Sequence, residues 1–419
     1  MTSIPKTVYK STILLVGLAY IGFIGLGLPD GLLGVAWPSI RAFFKLPLDA
    51  LGALLVMFTI GYLFSSFSSG KILSRMNVGT LLALSCLATA VSLLGYALTP
   101  SWSIMVAFGL LAGLGAGAID AGINTFAATH FSARSVNWLH AFYGVGATAG
   151  PIIMTSVLDA GHRWQWGYAI VGIGQLALAT CFALTRKLWM NDKREVELAQ
   201  NDLAKFASMA SASLTSPSPK STLRLPIVWL SIGVFFLYTG IEAAAGAWSY
   251  SLFTEGRAIP MMTAGLWVSV YWGGLTAGRL LSGFVVNFVS TRLLLRFCII
   301  GITFGATLIW LNVTPLLSFI GLAMMGLSSA PIFPSMIAST PIRLGEAHTA
   351  NAVGFQIAAA VLGQSLLPSL VGVFARNFGV EIIAPTLLAS AILLLIIYEM
   401  LPATNSRVVR EAAPVTALL

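Results

Sequence analysis

Twelve apolar stretches follow one another along this chain, most of them about twenty residues or longer, the length that a helix needs to cross a bilayer. Only 9% of the 419 residues are charged, whereas soluble domains carry roughly a quarter. A water-facing surface cannot be built from so few charges, so we expect an all-α membrane protein with twelve transmembrane helices. The predicted spans are 11–38, 48–70, 79–98, 102–128, 136–158, 165–187, 225–253, 261–286, 292–311, 315–339, 349–375 and 381–402.

One long polar segment, 188–224, separates the first six predicted spans from the last six. Its charged part, 191–210, can form a surface helix, and the run SASLTSPSPKS that follows predicts disorder. A plain tether is the simpler interpretation. We therefore expect an N-terminal six-helix bundle over 1–187, a cytoplasmic linker over 188–224, and a C-terminal six-helix bundle over 225–419 that ends in a short cytoplasmic tail.

The distribution of Lys and Arg predicts the orientation in the membrane. With the N-terminus in the cytoplasm, 17 of these residues fall on the cytoplasmic side and 5 on the outer side, as the positive-inside rule requires. Both termini and the linker are then cytoplasmic, and we expect a bacterial inner membrane, with a plasma membrane as the alternative. The net charge of +9 reflects this topology and does not indicate nucleic-acid binding.

The two predicted bundles repeat each other at a spacing of 212 or 213 residues. The matching pairs are Gly70 with Gly283, Gly150 with Gly363, and Asp30 with Glu242. Two similar halves joined by a cytoplasmic linker imply a pseudo-twofold axis along the membrane normal. The substrate site is then expected between the halves, near the middle of the membrane.

Several motifs resemble those of a known family. The run GKILSRMNVGTLL after span 2 resembles the loop signature of the major facilitator superfamily, with Ser74 at the usual acidic position, Arg75 kept and the following basic pair missing. Gly150-Pro151 in span 5 resembles the second glycine signature of that family. The resemblance implies secondary transport by alternating access.

Six longer segments resemble one branch of this superfamily, which contains bacterial fucose–proton symporters, vertebrate sodium-dependent glucose transporter-like proteins and the fungal bypass-of-stop-codon transporters. The last group is the most similar. The segments are GLPDGLLGVAWPSI, DAGINTF, LHAFYGVGATAGP, GIEAAAGAW, GGLTAGRLLSG and GFQIAAAVLGQSLLP. In the fucose symporters, an acid in span 1 and another in span 4 are tied to proton coupling and sugar binding. The resemblance implies these roles for Asp30 and Asp120.

Three carboxylates lie well inside the predicted spans, away from their ends, where each ionisable group costs at least ~2.5 kcal/mol and needs a reason. Glu242 lies about mid-depth in span 7 and shares a helix face with Tyr238. Burial disfavours its charged form, which suits a proton carrier or an acceptor for a hydroxylated substrate. A permanent pair with Arg279 is the alternative, and we assign Arg279 to structural pairing or to a gate.

Asp30 holds the repeat position of Glu242 and is a second candidate for proton coupling, with helix capping after Pro29 as the alternative. Asp120 is the third candidate. It shares a helix face with Asn124, and a purely structural hydrogen bond between helices is the alternative for this pair.

Uncharged amides beside aromatic rings suit a sugar or a polyol, because hydroxyl groups can be hydrogen-bonded while the ring face is stacked. Gln356 and Gln364 lie two turns apart in span 11. His140 can gate or bind, with a structural role as the alternative. The predicted substrate-binding residues are Asn124, His140, Tyr143, Tyr238, Trp248, Gln356 and Gln364. Arg75 is assigned to a gate or to structural pairing.

No GxxxxGK[ST], HExxH or GxSxG motif occurs, and no Cys/His cluster has metal-ligand spacing. We therefore expect neither an ATP-driven pump nor an enzyme, and no cofactor or metal. The leading hypothesis is proton-coupled symport of a small hydroxylated solute, a sugar or a polyol. The alternatives are proton-driven efflux of amphipathic compounds, sodium coupling, and a transport-fold sensor or lipid scramblase with little flux. Expected partners are the solute, protons and membrane lipids.

Overall fold

The computed structural model describes residues 6–189, 218–285 and 288–402, and these residues form helices and short connections without a strand. The predicted surface helix at 191–210, residues 211–217 and the tail from 403 lie outside the described residues. The long helices are α1 (Lys6–Phe44), α2 (Leu51–Leu73), α3 (Val78–Leu98), α4 (Trp102–His130), α5 (Ala133–Asp159), α6 (Gln165–Thr185), α7 (Pro226–Ser251), α8 (Met261–Val285), α9 (Thr291–Leu311), α10 (Pro315–Ser329), α11 (Ile332–Leu344), α12 (Glu346–Phe378) and α13 (Ile383–Met400). A π-helical turn, Leu252–Gly256, extends α7.

Eleven segments of the described chain are long and apolar enough to cross a membrane, and they coincide with eleven of the twelve predicted spans. The remaining predicted span, the eighth along the chain, corresponds to α8. This helix has 25 residues but is less apolar, because it contains Trp267, Tyr271, Trp272 and Arg279. It packs against α5 and α10 within the bundle. The fold is therefore the expected twelve-span membrane bundle, with one span whose polar residues are accommodated by neighbouring helices.

The tenth span departs from the prediction of one continuous helix over 315–339. In the structure α10 ends at Ser329 and α11 begins at Ile332. Pro331 lies between them, and its missing N–H and bulky ring disfavour a continuous helix. The end of the Ser/Pro-rich run also differs from the predicted disorder, because Pro219–Thr222 forms one helical turn. Ser218 caps this turn and Pro219 occupies its first position, where no N–H is needed.

The bundle consists of two halves, α1–α6 and α7–α13, which meet through the pairs α1–α7, α2–α12 and α5–α8. The repeat-equivalent glycines occupy matching places in this arrangement. A Cβ at Gly150 of α5 would lie 2.8 Å from Cα of Gly31 in α1, and one at Gly363 of α12 would lie 2.9 Å from the carbonyl carbon of Phe236 in α7. Each half therefore uses a glycine to bring its fifth span against its first, as packed membrane helices do.

Candidate functional site

Asp30 lies in the interior of α1, which continues through Pro29 as far as Phe44. A capping role is therefore excluded, because Asp30 is far from either end of its helix. Its Oδ2 accepts a hydrogen bond of 2.6 Å from the hydroxyl of Tyr143 in α5, and the Asp30 side chain is exposed. A carboxylate at mid-helix is thus accessible to small molecules and has a neutral hydrogen-bond donor.

Glu242, the repeat counterpart of Asp30, is buried and has a different set of partners. The hydroxyl of Tyr238 donates to its Oε2, and Nη2 of Arg279 lies 3.8 Å from its Oε1. The hydroxyl of Tyr271 donates to its backbone carbonyl at 2.9 Å. Only 7% of Glu242 is exposed. The structure therefore places Glu242 in the ion pair with Arg279 that the sequence left as an alternative.

Asp120 of α4 is held between two neutral donors. Tyr62 of α2 donates to its Oδ2 at 2.7 Å, and Nδ2 of Asn124 donates to its Oδ1 at 2.9 Å. Tyr62 was not predicted from the sequence. Tyr62, Ser65 and Ser69 form a polar face of α2 at helical spacing, but that pattern does not identify Asp120 as the partner. Each of the three candidate carboxylates has a tyrosine hydroxyl as partner.

His140, about two turns into α5, is exposed and makes an edge-on contact with the ring of Phe23, with centroids 5.5 Å apart. The candidate carboxylates are each held by partners of their own half, Asp30 by Tyr143, Asp120 by Tyr62 and Asn124, and Glu242 by Tyr238 and Arg279.

Three of the predicted substrate-binding residues have surroundings that differ from the expected shared polar site. Trp248 is fully buried, and its indole N–H donates to the backbone carbonyl of Pro368 at 2.8 Å. Gln356 is also buried and accepts from the Thr340 hydroxyl at 3.1 Å, whereas Gln364 is exposed. Eight residues turn an α-helix by about 80° beyond two full turns, so the two glutamines do not share an environment.

A cavity of about 70 Å³ lies beside Asp30 inside the first half, among α1, α2, α3, α4 and α6. Apart from Asp30, its lining is mostly apolar and includes Leu54, Phe58, Leu93 and Ala116. A group of three or more His, Cys, Asp or Glu residues able to hold a metal is absent from the part of the chain that the structure describes.

Two ion pairs join the halves at the end of the bundle where α1 ends. Arg41 of α1 lies 2.8 Å from Glu255 in the π-helical turn, and Arg376 of α12 lies 3.1 Å from Asp49. Arg75, which was assigned to a gate or to structural pairing, follows α2 at the opposite end of that helix and is exposed. Arg75 therefore takes part in neither of these two ion pairs between the halves.

Residues 19–254 match the family model of the Major Facilitator Superfamily. The chain belongs to this superfamily. It is similar to bypass of stop codon protein 6 of Saccharomyces cerevisiae, with 23% identity over 389 residues that cover 87% of this chain and 77% of that protein. It is also similar to the glucose/mannose transporter GlcP of Bacillus subtilis, with 24% identity over 298 residues that cover 70% of each chain.

Solved structures of transporters share the fold of this superfamily member. The nucleoside transporter NupG superposes with a TM-score of 0.69 and 13% identity, covering 93% of this chain and 100% of that one. A bacterial homolog of the human lysosomal transporter Spinster, in an inward-facing and occupied conformation, gives a TM-score of 0.67 and 13% identity, covering 97% and 99%. The predictions of the family, the fold and a multi-pass membrane transporter of small solutes that is not an enzyme are confirmed.

Proposed function

We propose that the protein carries a small hydroxylated solute, a sugar or a polyol, across the membrane together with protons by alternating access. The relative GlcP is a glucose/mannose transporter. In this chain, Tyr143, Asn124 and His140 bring hydroxyl, amide and imidazole groups to partly or fully exposed positions. Such groups bind hydroxylated solutes by hydrogen bonds.

The observation that carries the proton assignment is the contrast between the two repeat-equivalent acids. Asp30 is exposed and has a neutral partner in Tyr143, whereas Glu242 is buried beside Arg279. Protonation of Asp30 removes a charge that has no ion-pair partner among the described residues. Protonation of Glu242 would instead leave Arg279 uncompensated, which is costly. We therefore rank Asp30 first as the proton carrier, then Asp120, whose partners Tyr62 and Asn124 are also neutral, and Glu242 third.

The proton gradient supplies enough free energy for such coupling. One proton that falls through 100 mV releases ~2.3 kcal/mol, and each pH unit adds ~1.4 kcal/mol. A tyrosine hydroxyl can donate to a carboxylate and accept from a carboxylic acid, so Tyr143 can hold Asp30 in both protonation states. The pair therefore allows proton binding and release without loss of its hydrogen bond.

The test is uptake of labelled sugars and polyols by proteoliposomes with an inward proton gradient. Asp30→Asn should abolish accumulation against the solute gradient but retain exchange of solute across the membrane. Asp159→Asn, the same change at an exposed carboxylate at the end of α5, is the matched control and should accumulate solute normally. Normal accumulation by Asp30→Asn would refute the assignment of the proton to this residue.

A second candidate function is proton-driven efflux of amphipathic compounds, because the lining beside Asp30 is mostly apolar. An apolar lining next to a carboxylate suits a molecule with a hydrocarbon part and a cationic group, but the cavity of about 70 Å³ has to widen to hold one, since ligand pockets measure roughly 300–1,000 Å³. Thermal stability of the purified protein against sugars, inositols and amphipathic drugs separates the two candidates. Selective stabilisation by one sugar or polyol supports symport, and broad stabilisation by lipophilic cations supports efflux.

A further inference from the structure

Two arginines converge at the end of the bundle where α9 begins and α11 ends, and they do so around Tyr398 of α13. The hydroxyl of Tyr398 donates to the backbone carbonyl of Arg292 at 3.1 Å. The guanidinium carbon of Arg343 lies 5.9 Å from the centre of the Tyr398 ring. Arg292 and Arg343 therefore both lie beside Tyr398. Three helices thus bring two like charges together, which requires compensation.

Three guanidinium nitrogens of this cluster lack hydrogen-bond partners within the described chain. Nη1 of Arg292, and Nε and Nη1 of Arg343, are buried and have no hydrogen-bond partner there. Glu399 directly follows Tyr398 in the chain, but Arg296 holds both of its oxygens through hydrogen bonds of 2.6 and 2.5 Å. Leaving buried donors of a charged group unpaired is costly. The cluster therefore has donors and positive charge to offer to an anion.

We propose that Arg292 and Arg343 bind a phosphate group, and that in the membrane this is the phosphate of an anionic lipid. The planar fork of arginine matches phosphate oxygens and pairs with two of them at once. Both arginines lie at ends of spanning helices, the depth at which lipid phosphates are concentrated. The site includes none of the residues proposed to bind the solute or the proton.

The chain itself contains a competing source of negative charge in its linker. Asp192, Glu195, Glu197 and Asp202 are outside the described residues. A variant with all four changed to Asn or Gln distinguishes this source from lipid, because it removes the linker carboxylates and keeps both arginines.

The experiment measures the melting temperature of the purified full-length protein in detergent. Phosphatidylglycerol, phosphatidylcholine and inorganic phosphate are titrated separately, with chloride added to equalise ionic strength. Arg292→Gln and Arg343→Gln should each need about tenfold more phosphatidylglycerol for the same rise in melting temperature. A tenfold loss of affinity is typical when one charge-assisted hydrogen bond is removed. Arg224→Gln, the same change at an exposed arginine, should respond like wild type. If a Gln variant does not fold, Arg343→Lys is measured in its place. Lysine keeps the positive charge but lacks the planar guanidinium, so it should also bind phosphatidylglycerol more weakly than wild type.

Stabilisation by phosphatidylglycerol alone, weakened in both arginine variants, supports the lipid site. Equal stabilisation by inorganic phosphate, lost in the same variants, supports the phosphate site and identifies a free anion as its occupant. The same response in wild type and in the arginine variants would overturn the proposal. So would a lipid response that appears only after the linker acids are neutralised, since the chain's own carboxylates would then fill the site.

Discussion

The buried pair of Glu242 and Arg279 makes the sharpest prediction about this protein, because its two members respond differently to pH. Arg279→Gln leaves a buried carboxylate, which can take up a proton as pH falls. Glu242→Gln leaves a guanidinium, which stays charged at any pH that the fold tolerates. We therefore expect the stability deficit of Arg279→Gln to shrink towards acid pH and that of Glu242→Gln to remain constant.

The distance between the two side chains sets the expected magnitude. At 3.8 Å, two unit charges attract each other by about 4 kcal/mol if the effective dielectric constant is ~20. Removing one member of a buried pair typically costs ~3–5 kcal/mol, because the other is left uncompensated. The Arg279 side chain is 23% exposed, so water screens part of the interaction. We expect each single substitution to cost about 2–3 kcal/mol near neutral pH and the double substitution to cost clearly less than their sum.

The assay is reversible denaturation of the purified protein in mixed micelles, at about pH 8 and about pH 5.5. Wild type, both single variants and the double variant form a double-mutant cycle, which isolates the interaction between the two side chains. The exposed pair of Arg296 and Glu399 is the matched control, and the same cycle there should show a coupling of at most ~1 kcal/mol because water and salt screen it.

Two results would refute this reasoning. If the costs of the single substitutions simply add in the double variant, Glu242 and Arg279 do not stabilise each other. If the deficit of Arg279→Gln is the same at both pH values, Glu242 does not take up a proton when its counterion is removed. Glu242 would then also be a poor candidate for proton transfer during transport.

Three further predictions concern other contacts. Tyr143→Phe removes the 2.6 Å hydrogen bond to Asp30 and should slow proton-driven uptake about tenfold in proteoliposomes, without changing the melting temperature by more than a few degrees. Trp248→Phe loses a buried hydrogen bond to α12 and should destabilise the protein by about 1 kcal/mol in denaturant. Arg41→Glu breaks the pair with Glu255 and should increase labelling of a cysteine introduced at that end of the bundle, whereas Arg41→Glu combined with Glu255→Arg should restore the labelling seen with the same cysteine in the otherwise wild-type chain.

The sequence predicted the fold well because membrane spans are specified by local composition. Each predicted span needed only length and hydropathy, and the glycine pair Gly150 and Gly363 revealed the repeat before any packing was known. The break at Pro331 was missed because proline is tolerated in many membrane helices, as Pro151 in α5 shows. Hydropathy alone does not reveal which proline interrupts a span.

The site was predicted less completely, because pairing between helices depends on three-dimensional arrangement. Tyr238 was found from its spacing to Glu242 within one helix. Tyr62 was missed because its partner Asp120 is 58 residues away, and no local pattern joins them. Trp248 was expected at the site because aromatic rings beside amides suit a sugar or a polyol, but α12 packs over its ring. Local spacing identifies the helix face, and the neighbouring helix determines whether that face is exposed.

The repeat also explains how two equivalent acids acquired different chemistry. The position 213 residues before Arg279 is Ser66 in α2, which is a neutral neighbour of Tyr62. The first half therefore lacks the cation at the place where the second half has one, and Asp30 has Tyr143 as its partner instead. A carboxylate with a fixed counterion stays charged, whereas one with a hydroxyl partner can change its protonation state at lower cost. Transfer of the cation, as Ser66→Arg with Arg279→Ser, should accordingly move proton dependence from Asp30 to Glu242.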